Sequence, residues 1–317
     1  MTDDDQDGTA GLEDMLNMEA AKSDPQPAAA PPVPKTETKT RRGNEVFNKQ
    51  DGVEVVSRHE AAKQEFGIEI PVDAVPLPSA GKVYPEDHPL HGAAHVEYTG
   101  MTAKEEDILM SQALIKRGTV ITELIKSCLI DKRINVNSLI SGDRNALMVA
   151  IRISGYGRFY EPTFVCPECK HKNEMKVDLA SLDIKPLKLE PVEPGTNVFG
   201  FKLPKTGFDV EFKFLTGTEE EKIVQNNEAR KKRGLQNNNL VTTRLLSSLV
   251  SVNGNISEAN TAKFVQSMPA IDSLALRTHI DKHEPGVNME VEFTCSNCEY
   301  YDNIQLPMGS SFFWPNS

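Results

Sequence analysis

Two cysteine pairs, Cys166-Pro167-Glu168-Cys169 and Cys295-Ser296-Asn297-Cys298, constrain this chain more than any other feature. Two residues separate the thiols of each pair, so both sulfurs of a pair can turn toward one tetrahedral ion. Phe164-Val165 leads into the first pair and Phe293-Thr294 into the second. A polar turn follows each, Lys170-His171-Lys172-Asn173 in one case and Glu299 onward in the other. The pattern predicts two knuckles sharing one structural Zn²⁺ held by Cys166, Cys169, Cys295 and Cys298. The span from Cys169 to Cys295 is far longer than a finger loop, so the fold itself has to bring the halves together. Four thiolates leave no open ligand position, which makes the metal a clamp and not a catalyst. Other readings stay open at this point. CxxC is also a thioredoxin-type redox motif, although neither pair clearly follows a βαβ pattern and opens a helix. An iron–sulfur centre uses the same ligand type. His171 is close enough to substitute for a cysteine, although four thiols already complete the set. The fifth cysteine, Cys128, lies in Ile125-Lys126-Ser127-Cys128-Leu129-Ile130 and reads as a core residue. Paired CxxC motifs without an export signal fit a reducing compartment and not a disulfide scaffold.

The chain has 317 residues, 38% of them hydrophobic, and a formal net charge of −11. That length allows one large domain or two ordinary ones. Residues 1–79 carry 16 acidic and 8 basic residues, so they supply most of the charge imbalance. A nucleic-acid binder usually shows a basic footprint, and the balance here argues against one. No run approaches 18 apolar residues, so no membrane-spanning helix is expected. Four aspartates in the first seven residues, with no apolar stretch behind them, do not read as a secretory signal.

Residues 1–75 are expected to form a flexible, acidic, Pro/Ala-rich extension, disordered in isolation over most of its length. Within it, Leu12, Met15 and Leu16 offer one apolar stripe suited to a short helix docking on a partner. The ordered body begins at Val75-Pro76-Leu77-Pro78-Ser79-Ala80-Gly81. A strand at 95–98 and a helix capped by Thr102 with Glu105 follow. Further helices are expected at 119–130 and at 143–153, the last capped by Asp143. After Cys169 the pattern partly restarts. Leu203-Pro204-Lys205-Thr206-Gly207 echoes Leu77-Pro78-Ser79-Ala80-Gly81, a strand at 208–215 ends at Thr216-Gly217, and Thr218 with Glu221 is expected to cap another helix. A helix at 241–250 then matches that at 119–130. Asp143 and Asp272 each precede the first cysteine of a pair by 23 residues, an offset that carries Leu147 onto Leu276 and Ile151 onto Ile280. We read an α+β fold with a degenerate two-fold internal repeat of strand-helix units, 76–170 and 171–317, joined by the zinc-ribbon-like site. Generic α+β recurrence is the simpler account of the same echoes.

The chain shows no HExxH, Walker loop or dinucleotide fingerprint. His88, His91 and His95 are the strongest hidden group, but they sit irregularly among Pro and Gly. The acids at Glu105, Glu106 and 219–221 fall in helix first turns, where the dipole explains them. No enzymatic activity is expected. The aromatic tail, Phe312-Phe313-Trp314, has to dock either on the chain's own core or on a partner.

Taken together, Leu77-Pro78-Ser79-x-Gly81-x-x-Tyr84, Thr99-Gly100-Met101-Thr102-x-x-Glu105-Glu106, Asp143-Arg144, Tyr156-Gly157, Cys166-Pro167-x-Cys169, Cys295-x-x-Cys298 and Phe312-Phe313-Trp314-Pro315 resemble the baseplate hub and hub-assembly proteins of T-even-like contractile-tailed bacteriophages. The resemblance covers about residues 75–315 and leaves out the acidic extension. It implies a structural or assembly component of the tail baseplate, without enzymatic activity, sited in the virion tail and in the host cytoplasm during assembly. Its implied partners are other baseplate hub or tail proteins and further copies of itself. The competing reading is a zinc-ribbon adapter or nucleic-acid-binding module. A basic face joining Arg230-Lys231-Lys232-Arg233 to Lys170 and Lys172 would favour that one.

Overall fold

The structure, a computed structural model, describes residues 71–232, 240–308 and 310–313, together with Glu65 and Gly67. Leu12, Met15, Leu16 and Trp314 lie outside the described residues. The described body falls in one compact unit, Pro71–Ser317. It is mixed helix and sheet, and its sheets are small.

The chain enters through β1 (Val72–Pro76), which pairs antiparallel with β2 (His95–Thr99), Val75 opposite Val96. The turn between them starts at Leu77-Pro78-Ser79-Ala80-Gly81. Gly81 has φ 69°, and a Cβ there would lie 2.3 Å from the Leu90 carbonyl oxygen. Only glycine satisfies both demands. Helix α1 (Ala103–Met110) follows, and its capping box is present: the Thr102 amide and hydroxyl both donate to the Glu105 carboxylate. That carboxylate is buried and also accepts from Ser127 Oγ, tying α1 to the next layer. The helix ends at Met110. Ser111 is extended (ψ 102°) and separates α1 from α2 (Gln112–Arg117), which ends on Gly118. Helix α3 (Val120–Cys128) buries Val120, Leu124, Ile125 and Cys128 on its core face, so the fifth cysteine is indeed a core residue.

The central helix is α4 (Ser141–Tyr156). Asp143 sits inside its first turn and does not cap it, contrary to expectation; Ile140 holds the cap position. The carboxylate instead reaches across the fold. It accepts from the Ser79 amide at 3.0 Å, Ser79 Oγ at 2.6 Å and Tyr84 OH at 2.6 Å. Burial pushes the Asp143 carboxyl up, while these donors pull it down less strongly. The turn after β1 is thus bolted to the central helix.

Next come two strand pairs and a single strand. β3 (Phe159–Tyr160) pairs with β6 (Val177–Asp178), and inside that pair β4 (Thr163–Val165) and β5 (Lys172–Glu174) form the first cysteine hairpin. β7 (Ile184–Lys185) waits for a partner far along the chain. A three-stranded sheet follows: β8 (Phe199–Lys202) and β9 (Asp209–Phe212), with β10 (Leu249–Val252) on the other side of β9. Phe199, Phe212 and Phe214 pack together on its core side.

Helix α5 (Gly217–Lys232) starts earlier than Thr218. Its cap is Thr216, whose amide and hydroxyl both bond the Glu219 carboxylate. Thr216 also bridges to Ile140, which fixes the helix start beside α4. Helix α6 (Leu240–Ser248) gives way to β10 at Leu249, so the expected helix over 241–250 is cut short by sheet pairing with β9. Helix α7 (Glu258–Ser267) gave no reading from its sequence. Helix α8 (Ala270–His283) holds Asp272, which accepts from the Lys205 amide at 2.7 Å and the Thr206 amide at 3.0 Å. That is the same grip on a Leu-Pro-x-x-Gly turn that Asp143 exerts, and Gly207 has φ 71° where Gly81 has 69°.

β11 (Gly286–Val287) then closes onto β7, and β12 (Glu290–Thr294) with β13 (Tyr301–Gln305) forms the second cysteine hairpin. A short 3₁₀ turn, Ser310–Phe313, ends the described chain. One hydrophobic core contains Leu77, Leu147 and Ile151 from the first half and Leu203, Leu276, Ile280, Phe312 and Phe313 from the second. The two halves therefore share their interior.

Backbone meets backbone where α4 passes β11. A Cβ on Gly142 would lie 1.8 Å from the Pro285 carbonyl oxygen and 2.7 Å from its carbon. Neither can swing away like a side-chain tip. Gly142→Ala should lower unfolding free energy by about 2 kcal/mol or more, read from denaturant midpoints. Gly200→Ala, where no atom lies within 4 Å of the added Cβ, should change it by about 0.5 kcal/mol at most. Equal effects at the two sites would show that α4 and β11 are not in close contact.

Candidate metal centre

Each cysteine pair occupies the tip of a two-stranded hairpin. In the first, the Cys166 amide bonds the His171 carbonyl at 2.9 Å and the Lys170 amide bonds the Cys166 carbonyl at 3.0 Å. In the second, the Cys295 amide bonds the Tyr300 carbonyl at 2.8 Å and the Glu299 amide bonds the Cys295 carbonyl at 3.0 Å. Lys170 (φ 59°) and Glu299 (φ 60°) both take the left-handed conformation that folds the chain back over its thiols. Non-glycine residues rarely adopt it, so the same unusual turn has been built twice.

The two tips meet. The Sγ atoms of Cys166, Cys169, Cys295 and Cys298 all lie within 4.8 Å of one another. The shortest approaches run across the hairpins: Cys166 to Cys298 and Cys169 to Cys295, each 3.6 Å. A disulfide needs about 2.05 Å, so these are free thiols. Around a tetrahedral Zn²⁺ with Zn–S near 2.3 Å, sulfurs sit about 3.8 Å apart. The donor set and its spacing fit a metal of that kind. Below the sulfurs, Phe164 and Phe293 face each other at 6.1 Å between ring centroids, and Met175, Tyr300 and Ile304 close a small apolar base separate from the main core. Cys166 and Cys295 are buried; Cys169 is half-buried and Cys298 exposed.

The electrostatics also suit a cation. Burial pushes the Cys295 thiol up, but the Asn297 and Cys298 amides, Cys169 and Asn173 outweigh it and bring it down to about 6. The Tyr300 amide favours ionised Cys298, yet burial and the three neighbouring thiols drive its thiol up to about 12. The first thiolate forms easily and the last does not. A divalent cation among them removes that conflict.

Asn173, buried in β5, is the residue that sequence reading passed over. Its Nδ2 donates to Cys295 Sγ at 3.6 Å and to the His171 carbonyl at 3.0 Å. Its Oδ1 accepts from the Ser296 amide and hydroxyl, both at 2.9 Å. The signal for it was an amide residue soon after a CxxC turn, which alone is too common to single out.

The other candidate residues resolve individually. His171 is not among the clustered ligands. His88 stacks on Tyr84 at 4.6 Å and accepts from the Leu90 amide, while His91 Nδ1 lies 2.7 Å from the Tyr84 carbonyl oxygen. These two histidines close turns around Tyr84. His95 stands on β2 opposite Pro76. At the tail, Phe312 and Phe313 are fully buried in the main core, and buried Arg152 donates from Nε to the Phe312 carbonyl at 2.7 Å. Of the two fates open to the tail, the structure gives these two rings the chain's own core. No helix among the described residues is long and apolar enough to cross a membrane.

Residues 74–314 match a family model described as T4 bacteriophage base plate protein. No curated protein and no solved structure matches the chain. The matched span contains both cysteine pairs and nearly all of the described body.

Because each hairpin supplies half the ligands, losing one ligand should be felt well beyond its own hairpin. Cys295→Ser is expected to lower the unfolding free energy of the metal-loaded body by more than about 4 kcal/mol, with one shifted cooperative transition in denaturant. A separate early transition, with the main one unmoved, would show that the two pairs serve no common site.

Proposed function

The chain belongs to the T4 bacteriophage base plate protein family, and from that premise we propose that it is a structural or assembly component of the baseplate hub, acting through protein contacts and without catalysis. The observation that carries this is the family match over 74–314, which spans the body and its four-cysteine cluster. We read the cluster as a structural Zn²⁺ site. Four thiolates fill a tetrahedral ion and leave nothing for a substrate.

In this reading the body is a degenerate duplication, each copy ending in half of the metal site. Its support is the recurrence of one local plan: a buried aspartate gripping a Leu-Pro-x-x-Gly turn, a helix, then a hairpin with a left-handed residue after the second cysteine. The metal ties the copies at their far ends, so the body behaves as a rigid spacer. Contacts with other tail proteins, and with further copies of the chain, then fall to the surface and the ends. The extension is the first of these, through Leu12, Met15 and Leu16. Phe312 and Phe313, already buried, leave Trp314 as the tail residue for that role. A short docking helix suits the extension better than full ordering, because each ordered residue costs about 1–2 kcal/mol of backbone entropy. Assembly would take place in the host cytoplasm before the baseplate joins the tail.

Mass spectrometry of purified tails and of hub precursors from infected cells tests the role. The chain should appear in one or both, carrying about one zinc per chain by elemental analysis of the purified protein. Absence from both would overturn the hub assignment. A folded, metal-free chain would overturn the zinc reading alone.

A further inference from the structure

The two hairpins hold their sulfurs with more than the thiols themselves. Asn173, rooted in the first hairpin, donates to Cys295 of the second at 3.6 Å and receives the Ser296 amide and hydroxyl there. The first hairpin therefore sends a carboxamide across to a cysteine of the second. That cysteine also lies against a thiol of the first hairpin, with Cys169 Sγ and Cys295 Sγ 3.6 Å apart.

We propose that Asn173 is a positioning residue that helps turn two half-sites into one metal site, by fixing the cross-hairpin thiol of Cys295 and carrying part of its negative charge. The inference rests on the metal reading above and deepens it. The chemistry follows from the donor types. A carboxamide N–H offers a thiolate a hydrogen bond without adding charge, so it favours the ionised sulfur while leaving its lone pairs free for the metal. A lysine at the same place would compete with the cation, and an aspartate would repel the thiolate. Asn173 has a second duty that a simple donor lacks. It is buried, and its oxygen takes the Ser296 amide, which sets the turn between Cys295 and Cys298. Neither half-site alone contains both members of a thiol–carboxamide pair, so high affinity should appear only when the hairpins are joined.

The full chain is tested by titration with Zn²⁺ against a competing chelator, and with Co²⁺ for its spectrum. Asn173→Ala should weaken zinc binding by about 10–100-fold. In the cobalt form, removal of a donor to sulfur should move the sulfur-to-metal charge-transfer band to lower energy, a shift that a merely structural prop would not produce. Asn173→Asp keeps the oxygen that receives Ser296 but loses the donor, so it too should weaken binding and shift the band. Ser296 is exposed and its hydroxyl donates to the Asn173 oxygen, so Ser296→Ala, which loosens the carboxamide and should weaken binding by less, keeps the test informative if the buried substitutions fail to fold. Asn303→Ala, on the outward face of β13 opposite Glu292, should match wild type. Variants at 173 and 296 with unchanged affinity and an unchanged band would overturn the clasp and leave the metal site standing. A wild-type chain that takes up neither ion would overturn the metal reading, and the clasp with it.

Discussion

Four thiols packed within 4.8 Å of one another, two from each of two distant hairpins, are the constraint on which the rest of this body depends. Such a cluster has little stabilising energy of its own. Without a cation the thiols divide: burial and the neighbouring thiols push Cys298 up to about 12, while backbone amides, Cys169 and Asn173 bring Cys295 down to about 6. With a cation, the same crowding becomes coordination, and its free energy is available only to a chain that has already folded both hairpins toward each other. The apolar base beneath the sulfurs is small, Phe164 against Phe293 with a few neighbours. Hydrophobic burial there contributes less than in the main core, so a bound metal would supply much of the join.

What aims the hairpins is the main body. Each is preceded by a helix whose early aspartate is locked to a turn more than 60 residues away, Asp143 to Ser79 and Asp272 to Lys205 and Thr206. Those grips fix where each helix begins, and the helix then delivers its hairpin. The close approach of Gly142 to Pro285 and the pairing of β7 with β11 press the two deliveries together from the side. Arg152 adds a further lock by holding the Phe312 carbonyl, so the end of the described chain is folded back into the shared core.

The cysteine ligands were legible because thiol pairs carry their geometry in their spacing. So was the Thr102–Glu105 capping box, a local pattern that the structure shows intact. Where the sequence misled, longer-range contacts had overridden local preference. Asp143 read as a cap because helix starts favour acids, but a buried turn had stronger need of its carboxylate. Leu249 and Val250 read as the end of a helix, and pairing with β9 drew them into a strand. Thr218 looked like the cap of α5, yet the strand leading in ends at Phe212 and the helix already starts at Gly217, so Thr216 takes the role. Asn173 was invisible for a different reason. Its importance exists only after two hairpins meet, and nothing in the residues around it announces the partner.

The central claim is that one metal holds both halves, and hydrogen exchange on the full chain before and after chelation tests it most directly. Removing the ion should strip protection from the amides of both hairpins together, Cys166 and Lys170 along with Cys295 and Glu299, and lower it in α4 and α8 behind them. Loss confined to one hairpin, or no loss at all, would contradict a shared clamp.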